Sequence, residues 1–264
     1  MQGLMQVMHG ISTSHLDLII HSPGGSLEAA ESFVIYLRSK FDHIRVIVPH
    51  LAMSAATMIA CAADEIVLGK HSFLGPIDPQ FALNTPMGQR MVPAQAILAQ
   101  FELAQKECND PTKLAAWIPM LNQYGPDLLV QCEHASKMSK RLVNEWLKTY
   151  MFKSETKAKR QALASNISNW LSNHQYFKSH GRHIQRDSLR AKKLKIINLE
   201  DDQKFQDLVL STFHATTMTM TLTPAVKIIE NHFGKAFINQ AQMIIQAPQQ
   251  MTIQPAAPSK PAAP

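Results

Sequence analysis

Cysteine is scarce in this chain of 264 residues, which has three, Cys61, Cys108 and Cys132. They form no CxxC pair and no metal-ligand spacing. That excludes a disulfide framework and fits a reducing compartment. No apolar run reaches the ~18–20 residues a bilayer span requires. The N-terminus, MQGLMQVMHGISTS, has no basic stretch leading into an apolar core, so no signal peptide is expected. It also offers no strong element before residue 16, as if the chain began inside a fold whose first strand is missing. Internal repeats are absent. Glycine is sparse, ten residues, yet two of the ten stand side by side at Gly24-Gly25.

What is present is a 45% hydrophobic composition, enough to bury a real core, and a net charge of +6 that is unevenly spread. Between Lys137 and Lys195 fifteen Lys and Arg face three acids, Glu145, Glu155 and Asp187. Solvated helix faces are one reading of this region. Contact with an anionic partner, such as a membrane surface, is the other. We expect no nucleic acid as partner. Five prolines after Ala247 mark 247–264 as a disordered tail.

The glycine pair sits in HSPGGS, after the apolar run Leu16–Ile20 and before the helical stretch 26–40. Ile44–Val48 reads as a second strand, the small-residue stretch 53–63 as a buried helix, and Glu65–Leu68 as a third strand. Strand, helix, strand, helix, strand in that order implies parallel pairing with right-handed crossovers. Beyond residue 90 helices dominate, over 93–108, 126–151, 155–172 and 201–220, with a short helix at 187–194 and a strand at 195–199. Three segments follow: a truncated-looking core over 1–90, a helix-rich continuation over 91–246, and the tail.

Ser54 falls just past the second strand, at the start of the small-residue helix. Free N–H groups at that helix end suit a nucleophile whose intermediate carries an oxyanion. An ordinary N-cap serine would look the same. In parallel units neighbouring strand ends lie side by side. Gly24-Gly25 would then face Ser54 across a crevice and offer backbone N–H groups to a substrate carbonyl, so the PGG turn reads as an oxyanion hole.

The stretch from Asp17 to Gln80 resembles the ClpP/crotonase superfamily of serine peptidases, and within it the serine dehydrogenase proteinase family, related to signal peptide peptidase A. LDLIIHSPGGS (16–26), Val48–Val67 and LGPIDPQ (74–80) carry the likeness, and KLAAWIPMLNQYGP (113–126), FKSHGRHI (177–184) and TPAVKIIENHFG (223–234) extend it. The resemblance implies an α/β fold of stacked βαβ units with a helical C-terminal half, assembled as a homo-oligomer. It implies Ser54 as nucleophile, with N–H groups of Gly25 and Ala55 as oxyanion donors. Relatives carry glycine after the nucleophile where this chain has Ala55-Ala56.

Relatives use a Ser-Lys or a Ser-His-Asp arrangement. Lys106, on the helix 93–108, is the candidate base, and it would need burial among Ile97, Leu98, Phe101 and Leu103 to be neutral. His50 is the next candidate. Lys70 and His71 lead into the GPIDP loop near where Ser-His-Asp relatives place a histidine, and Asp78 reads as a brace for that loop. His180 and His183 have no helical zinc spacing, so no metal is expected, and no cofactor.

These features point to a serine peptidase acting on peptide or protein substrates, cytoplasmic or membrane-peripheral. The alternative is a non-catalytic relative that binds peptides or partners as a scaffold. An acyl-CoA enzyme on the same fold would use the oxyanion hole but has no use for Ser54.

Overall fold

A computed structural model of the chain describes residues 1–85 and 88–241. The tail expected at 247–264 lies outside the described residues.

The chain opens with α1 (Gln2–Met8), β1 (His15–Ile19), α2 (Leu27–Arg38), β2 (His43–Val48), β3 (Leu51–Ala52), α3 (Ala55–Cys61), β4 (Glu65–Leu68) and β5 (Phe73–Leu74). The strands β6 (Gln80–Thr85) and β7 (Gly88–Pro93) follow. Then come α4 (Ala94–Glu107), α5 (Pro111–Leu121), α6 (Leu128–Trp146), which continues as a π-helical turn to Met151, and α7 (Lys157–Leu171). The chain goes on through α8 (His174–Phe177), β8 (Ile184–Gln185), α9 (Arg186–Ala191), β9 (Ile196–Asn198), α10 (Gln203–Leu222), β10 (Ala225–Glu230) and β11 (Ala236–Gln240).

The main sheet is parallel throughout, in the order β1-β2-β4-β9. Its alternating side chains serve two layers. Ile44, Val46 and Val48 of β2 and Ile66 and Leu68 of β4 enter the largest core with α2, α3, α6 and α7. Ile47 and Val67 point the other way and meet Leu199, Phe205 and Val209 at the start of α10. Covering both faces is what a parallel sheet needs. The helices start where local chemistry stops the strands. Ser26 accepts a hydrogen bond from the Ala29 N–H at the head of α2, with Glu28 in the first turn and Arg38 in the last, as the helix dipole favours.

A second, smaller sheet sets the site. β3 and β5 run parallel, β8 runs antiparallel to β5, and Ser22 adds a bridge to Ala52 on the far side of β3. Ala52, Leu74 and Ile184 therefore form one row across this sheet. Just beyond that row lie Ser22–Gly24, Ser54, the GPIDP loop and the segment leading into β8.

The chain beyond β5 is not purely helical. β6 pairs with β7 and packs on α4 and the start of α6 around Ile97, Leu128 and Cys132. β10 and β11 form a hairpin against α1, where Asn231 Nδ2 donates to the Val7 carbonyl at 2.6 Å.

Candidate active site

Ser54 is held in a conformation that non-glycine residues avoid, with φ 53° and ψ −119°. Such a backbone costs of order 1–3 kcal/mol and persists only where the surroundings enforce it. Here the enforcement comes from both flanking segments. Gly24, at φ 112°, lies so close that a Cβ on it would stand 2.8 Å from Ser54 Cβ and 2.9 Å from the Met53 carbonyl oxygen. On the other side Gly75 presses against the Met53 side chain, where a Cβ would stand 2.8 Å from its sulfur. The strand, sharp turn and helix around a strained serine share the backbone geometry of a nucleophile elbow, and the room for it is made by glycines on neighbouring segments.

Thr57 locks the elbow from below. It is fully buried, donates to the Ala52 carbonyl at 2.7 Å and accepts from the Gly75 N–H at 2.9 Å. That ties α3, β3 and the GPIDP loop together. The Ser54 side chain makes no capping bond at the start of α3 and is partly exposed, so the plain N-cap reading does not describe it.

The backbone N–H groups expected to serve as oxyanion donors lie on two different segments. The Gly24 N–H is spent on Ser22 Oγ at 3.1 Å. Gly25 N–H has no partner among the described residues, and space is open where a Gly25 Cβ would stand. Ala55 opens α3, so its N–H has no carbonyl within its own helix.

Asp78 is the residue whose surroundings the sequence did not reveal. It is completely buried, and each carboxylate oxygen meets a histidine. Oδ2 lies 2.9 Å from His174 Nδ1 and Oδ1 lies 2.7 Å from His180 Nδ1, while Gln80 Nε2 approaches Oδ2 at 3.4 Å. With a carboxylate at Nδ1, each imidazole carries its proton there and leaves Nε2 as the free basic nitrogen. Neither Nε2 has a partner among the described residues. Gln95 of α4 fixes the corner that presents His174, donating to the Ser172 carbonyl at 2.8 Å and accepting from the His174 N–H at 3.1 Å. His180 follows α8 after a left-handed turn at Lys178, φ 62°.

Lys106 sits exposed in the last turn of α4. The burial that a neutral lysine base requires is not met within this chain. His50 stacks with His21 at 5.5 Å and packs edge-on to Phe73. His183 stacks on the other part of that aromatic cluster, 3.6 Å from the Phe73 ring centroid. Lys70 and His71 are exposed on the turn after β4. Among the described residues no group of three or more His, Cys, Asp or Glu is arranged to hold a metal ion. The buried thiols offer no rival nucleophile, because burial pushes Cys61 up to about 12 and Cys132 up to about 11. His174 had no signal of its own in the sequence. His180 did, within FKSHGRHI, but its partner lies 102 residues earlier.

Among the described residues no helix is long and apolar enough to cross a membrane. Of the fifteen basic residues in 137–195, six pair with carboxylates: Lys137, Arg141, Lys153, Lys159, Arg186 and Arg190.

Comparison with known proteins gives the family. Two proteins of Methanocaldococcus jannaschii, both uncharacterized, are similar to parts of the chain. MJ1495 is 40% identical over 97 residues, which is 37% of this chain and 30% of the relative. MJ0137 is 51% identical over 65 residues, 25% of this chain and 23% of the relative. The matched stretches thus span less than a third of either relative's length. No solved structure matches. The model of the ClpP-like SDH-type serine proteinases matches residues 6–173, more than half of the chain and including the elbow and Asp78, and the chain belongs to that family.

Proposed function

We propose that this chain is a serine peptidase in which Ser54 is the nucleophile, His180 the general base and Asp78 the group that orients it. The observation that carries the reading is the buried Asp78 carboxylate, bonded to His180 Nδ1 at 2.7 Å, on the loop whose Gly75 packs against Met53, the residue before the strained Ser54. His180 is preferred to His174 because it leads directly into β8, whose pairing with β5 sets that segment in the same row of strand ends as Ser54. In this reading Ser54 Oγ attacks the scissile carbonyl and His180 Nε2 takes its proton. The oxyanion is held by the N–H groups of Gly25 and Ala55, and His180 returns the proton to the departing amine. Water then cleaves the acyl-enzyme by the same route. Lys106, the base expected from the sequence, has less support because it is exposed.

One observation favours the scaffold alternative: Ser54 Oγ has no hydrogen-bond partner among the described residues. Catalytic contacts are often long before substrate binds, so the two readings are separated by turnover. With a fluorogenic peptide, Ser54→Ala is expected to abolish hydrolysis and His180→Ala to lower kcat roughly 10²–10⁴-fold. Peptide binding without turnover in the parent protein would establish the scaffold instead.

We also propose that the chain works as a homo-oligomer. α5 supports this: none of its residues is buried, yet it carries Leu114 and Ile118, 43% and 47% exposed.

A further inference from the structure

The segment that carries both histidines also walls a cavity that the proposed mechanism does not use. It measures about 480 Å³, within the ~300–1,000 Å³ of ordinary ligand sites. Trp170, Tyr176 and Phe177 supply apolar walls, and Arg182, His183 and Lys192 lie around them. The aromatic rings pack on one another, although Tyr176 is 65% exposed. Phe177 is buried, with Trp170 at 5.5 Å and Tyr176 edge-on at 5.0 Å.

The charges are unbalanced. No carboxylate lines the cavity. The exposed Arg182 guanidinium has no carboxylate partner among the described residues, as is true of nine of the fifteen bases in 137–195; what sets it apart is its place at this cavity. The Lys192 ammonium likewise has none, and rests over the Trp170 ring at 5.2 Å. Trp170 Nε1 is buried and without an acceptor among the described residues. Two unpaired cations beside an aromatic wall favour an anion attached to an apolar group.

We propose that this cavity is a carboxylate-binding subsite for peptides, and in this it deepens the peptidase reading and rests on it. The carboxylate is the C-terminal one or an Asp or Glu side chain. Arg182 offers two parallel N–H donors, Lys192 a point charge, and the aromatic wall takes the neighbouring apolar residue. His183 couples the subsite to the site described above, since its ring stacks on Phe73 and Phe73 continues to His50, four residues before Ser54.

The test uses the full chain carrying Ser54→Ala and three probes: acetyl-Phe-Ala with a free C-terminus, acetyl-Phe-Glu-amide and acetyl-Phe-Gln-amide. Binding is followed by the Trp170 indole N–H resonance. At least one carboxylate probe is expected to shift that resonance and to bind about tenfold more tightly than the glutamine probe, and which one does so identifies the source of the carboxylate. Arg182→Ala combined with Lys192→Met should bring that preference close to one. Equal binding of all three probes, or carboxylate binding that leaves the Trp170 resonance unmoved, overturns the proposal. Binding is read without turnover, so failure of the peptidase reading would show separately, as a parent protein that binds these probes and hydrolyses no peptide.

Discussion

Ser54, Lys178 and Lys193 are the non-glycine residues with positive φ among those described, and Ser54 alone of them heads a helix. Its neighbours divide the labour. Gly24 is needed for room and for its own φ of 112°, whereas Gly25 has open space beside it. Gly24→Ala is therefore expected to destabilise the fold by roughly 1–3 kcal/mol through strain and the clash with Ser54. Gly25→Ala should leave stability within about 1 kcal/mol and act on turnover instead, by narrowing the approach to the oxyanion donor. Urea midpoints of the two variants check the contrast, and equal losses would mean that both glycines are structural. At this scale the sequence was informative where chemistry is local. PGG and Ser54 could be read because each sits at a strand end. The Asp78 pairs could not, because 96 and 102 residues separate the partners and nothing in the spacing announces a contact made by folding. Lys106 was reached through its helical apolar neighbours, which indicate amphipathicity, not which face meets the core, and it stands exposed on α4.

The elements legible in the sequence were the long periodic helices and the short apolar strands, such as Ile44–Val48 and Glu65–Leu68, which form as His43–Val48 and Glu65–Leu68. The helices read over 26–40 and 93–108 form as Leu27–Arg38 and Ala94–Glu107. The two-residue strands β3, β5 and β8 escaped because a pair of residues has no period, although it is their register that assembles the site. The hairpin β6–β7 lay in a stretch read as the end of the core, and α8 lay between the helices read over 155–172 and 187–194, where no element was expected. Between elements, Asp64 at the start of β4 ties together several others. It accepts from Arg38 of α2 at 2.9 Å, from the Ile44 N–H of β2 at 2.9 Å and from Lys153 at 2.7 Å. Burial alone would raise its carboxyl, but the bonds from Lys153, Ile44 and Arg38 outweigh burial and hold it at about 2. A carboxyl depressed in the folded state stabilises above its unfolded value of about 3.9 and loses that contribution as pH falls through about 2. The unfolding free energy should thus drop between pH 4 and 2 by an Asp64-dependent share of roughly 2 kcal/mol. Asp64→Asn should be less stable at neutral pH by about 3 kcal/mol, since it leaves Arg38 buried with its charge unmatched. An acid transition that is the same in both proteins would assign the loss to other groups.

For the whole molecule, fold class was legible from the order of elements, and the resemblance supplied the family that the model match shows over residues 6–173. Assembly is a property of surfaces, which a sequence does not display. If α5 meets a second copy, sedimentation should find the parent chain as a species larger than one chain, and Leu114→Glu with Ile118→Glu should reduce it to a monomer. A monomeric parent would remove that part of the account. The central claim is that the strained serine is activated by the histidine on the buried aspartate, and labelling by a fluorophosphonate, mapped by mass spectrometry, tests it most directly. The account predicts an adduct on Ser54 in the parent protein, a rate lower by roughly 10²–10⁴ in His180→Ala, and a parental rate in Lys106→Met. An unlabelled parent, an adduct on another residue, or a rate that falls with Lys106→Met and not with His180→Ala would contradict it.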